Sequence, residues 1–460
     1  MSAPLSVHPA SFRDPAGFMY KYKGELFRFV HSSYKEHYEL LFHSGLFKQL
    51  TDAGWMIQTE EAESVHLASE NHFRTLKPAF IPYLSYPGEW SFTQYKDAAL
   101  LTLKICEAAL EKGMILKDAT PLNIQFYQGK ACWIDHLSFE RYEEGAPWIA
   151  YNQFCESFLN PLLIAYYKSI EIHRLYTSYP SGISASLTAR LLPFISKFKL
   201  AVALHVHLNA RVQSKTSRKN STSTKRISKK NLFALLSNLL QCIGSLEWKK
   251  HPTEWSDYYD SGILNEKYLS SKKKIIGDLL TELNYNSLLD LGANDGTFSF
   301  LANKNVQVIA SDQDSSCIDR LYTKTKSQGL KNILPVVIDL MHPSPASGWM
   351  NTEQPSFVER MKTDLCLALA LIHHLCIGKN LPFSHAVQLF AASCDWLLIE
   401  FIPKSDPKAT LLLQNRSDHF HWYNQEAFEL AFSDYFTIHK KFLVEGSERT
   451  IYVMQKHRKL

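Results

Sequence analysis

The sequence predicts an α/β fold in its C-terminal half: a mostly parallel seven-stranded sheet, closed by an antiparallel hairpin and preceded by an α+β domain. Three observations predict it. From about residue 285, near-continuous apolar runs alternate with helical segments, the pattern of strands buried on both faces. The last two runs flank Glu445-Gly446-Ser447, a turn-forming stretch that joins antiparallel neighbours. One compositional break, Arg211–Lys230, divides the 460-residue chain, which is too long for one ordinary core.

The expected elements follow in chain order. Gly17–Val30 reads as a hairpin around Lys23-Gly24. Gln94–Lys112 reads as a helix stopped by Gly113. Ile124–Tyr127 and Ala131–Ile134 are short strands around Gln128-Gly129-Lys130, and residues 148–209 are mostly helical. Beyond the break, helices are expected at Leu232–Ile243 and Asn265–Leu283. Strands are then expected at Ser287–Leu291, Val306–Ala310, Ile333–Ile338, Leu365–Leu371 and Trp396–Ile402. Helices separate them at 296–304, Ser315–Gln328 and Phe383–Ala392. The closing hairpin is Phe436–Val444 with Thr450–Gln455.

Composition is globular, with 45% hydrophobic, 13% aromatic and 21% charged residues, which supports sizeable cores. The net charge of +5 is uneven. Arg211–Lys230 holds eight basic residues and no acid, and setting it aside leaves −3, so charge does not imply a broad nucleic-acid surface. Its Ser/Thr/Lys/Arg composition cannot support a core and reads as a linker. The expected division is 1–210, a linker at 211–231, and a second domain at 232–460.

The eight cysteines are scattered without a C-x-x-C pair. Neither a zinc site nor a disulfide framework is expected, and a reduced, cytoplasmic setting fits best. The N-terminus lacks a basic start followed by an apolar run, so no secretory signal is read there. The apolar segment Leu187–Leu208 is interrupted by Arg190, Lys197, Lys199 and two histidines. It reads as a buried helix and not a membrane span.

The motif with most chemistry is Leu288-Leu289-Asp290-Leu291-Gly292-Ala293-Asn294-Asp295-Gly296. An apolar strand enters a glycine-bearing turn, where a ligand can approach the backbone at a strand's carboxyl end. Dinucleotide sites prefer G-x-G-x-x-G and bring a pyrophosphate to a helix N-terminus. Here the spacing is G-x-x-x-G with Asp290 and Asp295 beside it. Two carboxylates repel a pyrophosphate but suit a cofactor that is cationic at sulfonium and amino groups, so S-adenosylmethionine is favoured. Asp312 follows the second strand, 22 residues after Asp290, where Rossmann-type folds place an acid on ribose hydroxyls; Asp314 is the runner-up. Asp339 ends the third strand, and Asp364 opens the fourth.

At these residues the segment from about 265 to 460 resembles the class I S-adenosylmethionine-dependent methyltransferases, whose domain is Rossmann-like. The resemblance implies that Asp290, Gly292, Asn294 and Gly296 form the loop around the methionine part. It implies that Asp312 binds the ribose and Asp339 the adenine. Asn294 stands where many members carry glycine. Methyl transfer is an in-line displacement, and a base is needed only where the acceptor must lose a proton. His373 and His374, after the fourth strand, are candidates for that base. Glu400, in Glu400-Phe401-Ile402-Pro403-Lys404 after the fifth, is a candidate for binding a cationic substrate group or pairing with Lys404.

In the N-terminal half, Lys117-Asp118-Ala119-Thr120-Pro121-Leu122-Asn123 is followed by the strand pair 124–134 and Asp135. The pattern D-x-x-x-x-N, hairpin, Asp resembles the catalytic lobe of protein-kinase-like and aminoglycoside-kinase-like folds. The resemblance implies Asp118 as base, with Asn123 and Asp135 holding Mg²⁺ on ATP. Lys117 replaces the common Arg, Asp135-His136-Leu137 replaces D-F-G, and neither a glycine-rich loop nor an Ala-x-Lys strand lies upstream. No other metal site is expected. The joined arrangement, with LKDATPLNIQF, Pro147-Trp148, LALALIHHL and EFIPKSDP, is similar to a bacterial methyltransferase family with members linked to nodulation-factor biosynthesis. The expectation is a methyltransferase for a small-molecule acceptor, its N-terminal domain binding or presenting substrate. The alternatives are a bifunctional kinase–methyltransferase and a binding protein with vestigial sites.

Overall fold

The structure is a computed structural model describing residues 6–63, 71–216, 226–248, 266–414 and 419–457. It divides into two compact units, Met1–Lys249 with Ala346–Gln354, and Lys250–Pro345 with Pro355–Leu460.

The first unit opens with five strands: β1 (Ser6–Val7), β2 (Gly17–Tyr22), β3 (Glu25–His31), β4 (Thr59–Ala62) and β5 (His72–Pro78). They form an antiparallel sheet in the order β1-β2-β3-β5-β4. The β2–β3 turn holds Lys23 and Gly24, both at positive φ, which matches the twist of a tight hairpin. Tyr20, Phe27 and Phe29 bury one face. The expected hairpin is therefore the centre of a larger sheet.

The Phe92–Glu111 helix is N-capped by Ser91 in a reciprocal box with Gln94, and Gly113 beyond its end sits at positive φ. Strands β6 (Met114–Leu116), β7 (Ile124–Tyr127), β8 (Lys130–Trp133) and β9 (Phe139–Arg141) follow. They pair as β6–β9 and β7–β8 and hold the 117–123 loop between the two ladders.

Leu187–Leu208 is not one buried helix. The Ala185–Leu191 helix ends before Pro193, whose ring and missing N–H break the ladder. A 3-10 turn at Phe194–Phe198 and a helix with a π-turn at Ala203–Leu208 follow. Several of the apolar side chains face solvent.

Of the expected linker, residues 217–225 lie outside the described residues, while its first six residues continue the Asn209–Thr216 helix. The Lys229–Gly244 helix, which begins inside the linker, belongs to the first unit and not to the second domain. It buries Leu232, Leu236, Leu239 and Ile243, and Lys96 donates to the carbonyls of Gly244 and Leu246 at its end.

The second unit contains β10 (Ser287–Leu291), β11 (Gln307–Asp312), β12 (Ile333–Val337), β13 (Thr363–Ala368), β14 (Cys394–Phe401), β15 (Phe436–Leu443) and β16 (Thr450–Lys456). The order is β12-β11-β10-β13-β14-β16-β15, parallel through β14 and antiparallel at β16. This is a Rossmann-like sheet with a terminal hairpin. Leu288, Leu365, Leu367 and Leu398 pack in its core with Ile318 and Leu321 of the Ser315–Ser327 helix.

The helix expected at 296–304 is only a 3-10 turn at Ser299–Leu301. Gly296 is left-handed there, the Ser299 hydroxyl is drawn to Asp290, and Asn303 turns the chain by accepting the N–H of Asn305. Among the described residues no helix is long and apolar enough to cross a membrane.

Candidate cofactor site

After β10 the chain builds β11 and β12 on one side, then crosses to build β13 on the other. The loops leaving β10 and β13 therefore diverge, which opens a crevice at the carboxyl ends of the strands. A pocket sits there, lined by Gly292 and Asn294 after β10, Asp312 and Gln313 after β11, Asp339 and Met341 after β12, and Ala370 and His374 after β13. It encloses about 780 Å³ of non-protein space, part of it open to solvent.

The β10 loop is shaped by backbone geometry. Gly292 is left-handed at φ +76°, and its N–H and that of Ala293 both donate to the Ser311 carbonyl. Asn294 is also left-handed, a conformation asparagine tolerates better than most residues, which accounts for its place where glycine is common. Its N–H donates to Asp312 Oδ2 at 2.9 Å. Gly296 stands back from the pocket lining, where a Cβ would meet Leu321 Cδ1 at 2.4 Å. Its role is close packing of turn against helix.

The acids separate into two groups. Asp312 and Asp339 line the pocket. Asp312 Oδ1 takes the N–H of Asp314, and Asp339 takes the N–H of Met341 while contacting the His342 ring. Asp290 does not line it: its carboxylate is buried and accepts the Ser299 hydroxyl at 2.6 Å. Asp314 caps the following helix through Ser316 and Cys317, and Asp295 closes a turn on Thr297. Asp364 ties the start of β13 to β10 through Asn286 and Ser287, at the far end of the strands.

Burial pushes the Asp312 carboxyl up to about 6, opposed by the N–H groups of Asp314 and Asn294. Burial pushes Asp290 to about 6 as well, opposed by Ser299 and reinforced by the charge of Asp312. A cation entering the pocket relieves that strain, whereas a pyrophosphate worsens it. The residues thus fit S-adenosylmethionine: open backbone at Gly292, hydrogen-bond acceptors at Asp312 and Asp339, and apolar flanks at Ile338, Leu340 and Met341.

The two histidines are not equivalent. His374 lines the pocket, and burial holds its pKa down at about 4, with the charges of Arg449 and Lys408 adding to the effect. His373 is fully buried behind it, ring centroid 4.0 Å from that of His374, and neither ring nitrogen has a hydrogen-bond partner among the described residues.

Glu400 does not reach the pocket and its cation is not Lys404. It is fully buried, with Oε2 2.6 Å from Lys272 Nζ and accepting the Ala370 N–H at 2.7 Å, while Oε1 accepts from Tyr268. Arg449 completes the network with a two-pronged contact to Asp406 and a hydrogen bond to Tyr268. Ala370, a pocket residue held left-handed at φ +52°, is thereby clamped from below. Sequence reading missed this network, because Lys272, Glu400, Asp406 and Arg449 are far apart in the chain and carry no shared motif.

In the first unit, Asp118, Asn123 and Asp135 come together. Burial raises the Asp118 pKa, the charge of Asp135 adds to this, and Asn123 and Gln153 hydrogen bonds oppose it. One Asp118 oxygen is buried without a hydrogen-bond partner. Asp135 is engaged by Arg28 of β3 at 2.5 Å, by the Ser138 hydroxyl and by the Leu137 N–H. Burial opposes its ionisation, but these partners together hold its carboxyl below the ordinary range. A cation from the upper sheet is therefore present, supplied by Arg28 without any Ala-x-Lys signature. Among the described residues, no group of three or more His, Cys, Asp or Glu side chains is arranged to hold a metal ion.

Sheet order, switch-point pocket and the preceding α+β unit define a two-unit α/β protein with an acidic ligand pocket on a Rossmann-like sheet. The chain is 32% identical over 458 residues to the nodulation protein NoeA of Rhizobium meliloti (strain 1021), covering 97% of this chain and 95% of that protein, and it belongs to that family. No protein-family model matches it. Solved structures similar to part of the chain include the N-methyltransferase NodS of Bradyrhizobium japonicum WM9 in complex with S-adenosyl-L-homocysteine. That match has 11% identity and a TM-score of 0.33, covering 45% of this chain and 100% of that one. Magnesium protoporphyrin IX methyltransferase of Synechocystis PCC 6803 is similar at 16% identity and a TM-score of 0.31, covering 44% and 92%.

Proposed function

We propose that this protein is an S-adenosylmethionine-dependent methyltransferase acting on a small-molecule acceptor. The observation that carries the reading is the meeting of Gly292, Asp312 and Asp339, from three successive strand ends, in one pocket. The bound cofactor supplies an electrophilic methyl group. The chain's own residues bind and orient: Asp312 and Asp339 accept hydrogen bonds from the nucleoside, and Gly292 lets the backbone approach closely. Asp290 braces the loop through Ser299 and does not touch ligand. His374 is the pocket histidine placed to accept a proton from an acceptor that must lose one, and it is neutral at ordinary pH.

In the same proposal the first unit is kinase-like in fold and binds or presents the acceptor. The five-stranded sheet, the helix that follows with the β7–β8 hairpin and the β6–β9 pair, and the convergence of Asp118, Asn123 and Asp135 support this. Phosphoryl transfer is disfavoured because Arg28 neutralises the acid that would hold Mg²⁺. Calorimetry of the full chain against S-adenosylmethionine, S-adenosylhomocysteine, Mg-ATP and NAD tests the reading. Heat with the first two ligands alone is expected; absence of heat with either sinks it.

A further inference from the structure

Between Ile172 and Leu246 the chain has no Asp or Glu and twelve Lys or Arg residues. Within that stretch, residues 194–212 carry a row of large apolar side chains on their outer face. Phe194, Ile195 and Phe198 are 69%, 66% and 76% exposed. Leu200, Leu204, Leu208 and Val212, spaced by four along the next helical stretch, are 70%, 42%, 49% and 53% exposed. Two polar side chains between them turn inward. Ser196 is buried against the His207 ring, and His205 is buried between Tyr151 and Asn238. The inner face is taken by Val202 and Val206 together with these hydrogen-bonded polar groups, and the larger apolar side chains are left on the outer face.

Cations border this surface. Lys197 Nζ lies 4.8 Å from the Phe194 ring, whose centroid is 5.6 Å from that of Phe198. Lys197 and Arg211, from separate elements, both bear electrostatically on His207. Arg190 and Lys199 are exposed beside them.

We infer that the Phe194–Val212 surface is a docking face for an anionic lipid bilayer, with the aromatic and leucine side chains entering the interface and the lysines and arginines meeting acidic headgroups. Apolar insertion together with a basic border is the pair of signals that stable interfacial binding needs. Nucleic acid uses the cations but leaves the projecting phenylalanines and the leucine stripe without a partner. A second copy docked face to face sets like charges against each other. The helix lies in the interface plane and does not span the bilayer.

Co-sedimentation of the full chain with phosphatidylcholine vesicles, with and without phosphatidylglycerol, tests this. Binding only to the phosphatidylglycerol vesicles is expected. A Phe194→Ser/Phe198→Ser variant should partition roughly tenfold less. A Lys197→Gln/Lys199→Gln variant should lose a few-fold and respond less to salt. These side chains are exposed, so an unchanged thermal melt confirms that each variant folds. Absence of vesicle binding, or equal binding by the Phe variant, overturns the inference. So does a concentration-dependent dimer that the Phe variant abolishes, or RNA binding with no binding to phosphatidylglycerol vesicles. The outcome is independent of cofactor binding, which is measured separately.

Discussion

Arg28 Nη1 stands 2.5 Å from Asp135 Oδ1, an ion pair largely shielded from solvent that joins the five-stranded sheet to the hairpin region below it. Such a pair contributes little net stability when intact, yet removing one partner strands the other. Arg28→Ala should therefore destabilise the first unit by about 3 kcal/mol, read as a lowered denaturant midpoint. An Arg28→Met/Asp135→Asn double variant should recover most of that loss. Neither the wild type, in which Arg28 neutralises Asp135, nor the double variant, which lacks the carboxylate, should show Mg-dependent ATP hydrolysis.

Asp135 in the first unit and the Asp290–Asp312 pair in the second should contribute to the acid response in opposite directions. Asp135 is held below its unfolded value, so its stabilisation is complete above the unfolded pKa of about 4 and is lost as pH falls through the lower folded value. Asp312 and Asp290 are held up at about 6, so their ionisation is a penalty above pH 6 that is relieved as pH falls toward 4. Ligand binding at Asp312 needs the carboxylate. Affinity for S-adenosylmethionine should fall as pH drops through about 6, and Asp312→Asn should remove that dependence while costing about 1–3 kcal/mol of affinity at pH 8. Calorimetry across pH decides it; an affinity flat from pH 5 to 8 in the wild type contradicts the assignment.

The parts of this protein legible in its sequence were those written in local pattern. The apolar strands, Asp312 and Asp339 at strand ends, and the Asp118–Asn123–Asp135 order each occupy a short stretch. Asp290 shows the limit: its position in the motif was readable, but its contact with Ser299 depends on a 3-10 turn that the helical pattern of 296–304 concealed. The apolar periodicity of 232–243 reads as a helix, but which unit an amphipathic helix packs on depends on distant contacts such as Lys96 with Gly244, which local pattern does not carry. Apolarity alone reads Leu187–Leu208 as a buried helix, but Pro193 breaks it, and only Leu192, Val202 and Val206 of its larger aliphatic side chains reach the inner face.

Glu400 links stability to pocket shape. It offsets Lys272 in a site from which water is excluded and holds the Ala370 N–H at 2.7 Å. Glu400→Gln should destabilise the second unit by several kcal/mol, because Lys272 is left buried with a neutral partner. Lys272→Met/Glu400→Leu removes both charges and should restore much of the stability. It should not restore cofactor affinity, since the left-handed Ala370 loses its anchor. Full recovery of affinity in the double variant would show that Glu400 has no positioning role.

The adjacent histidines give the sharpest separation of packing from chemistry. His373 is buried with both ring nitrogens unpaired, and its pKa is well below the ordinary value because of burial, with His374 and Arg449 adding to it. The unfolded chain therefore binds a proton near pH 6.5 that the folded protein refuses, so stability is lost as pH falls below that value. His373→Leu should remove this acid sensitivity and be neutral or stabilising by about 1–2 kcal/mol at pH 7, with methyl transfer retained. His374→Gln should leave the melting temperature nearly unchanged and lower kcat by about 10²-fold if the acceptor must lose a proton. With its pKa at about 4, His374 is not the source of any rate inflection near pH 6. That inflection should persist in His374→Gln and vanish in Asp312→Asn. A pH–rate profile of the three proteins distinguishes these roles, and loss of the inflection in His374→Gln would assign the titrating group to the histidine instead.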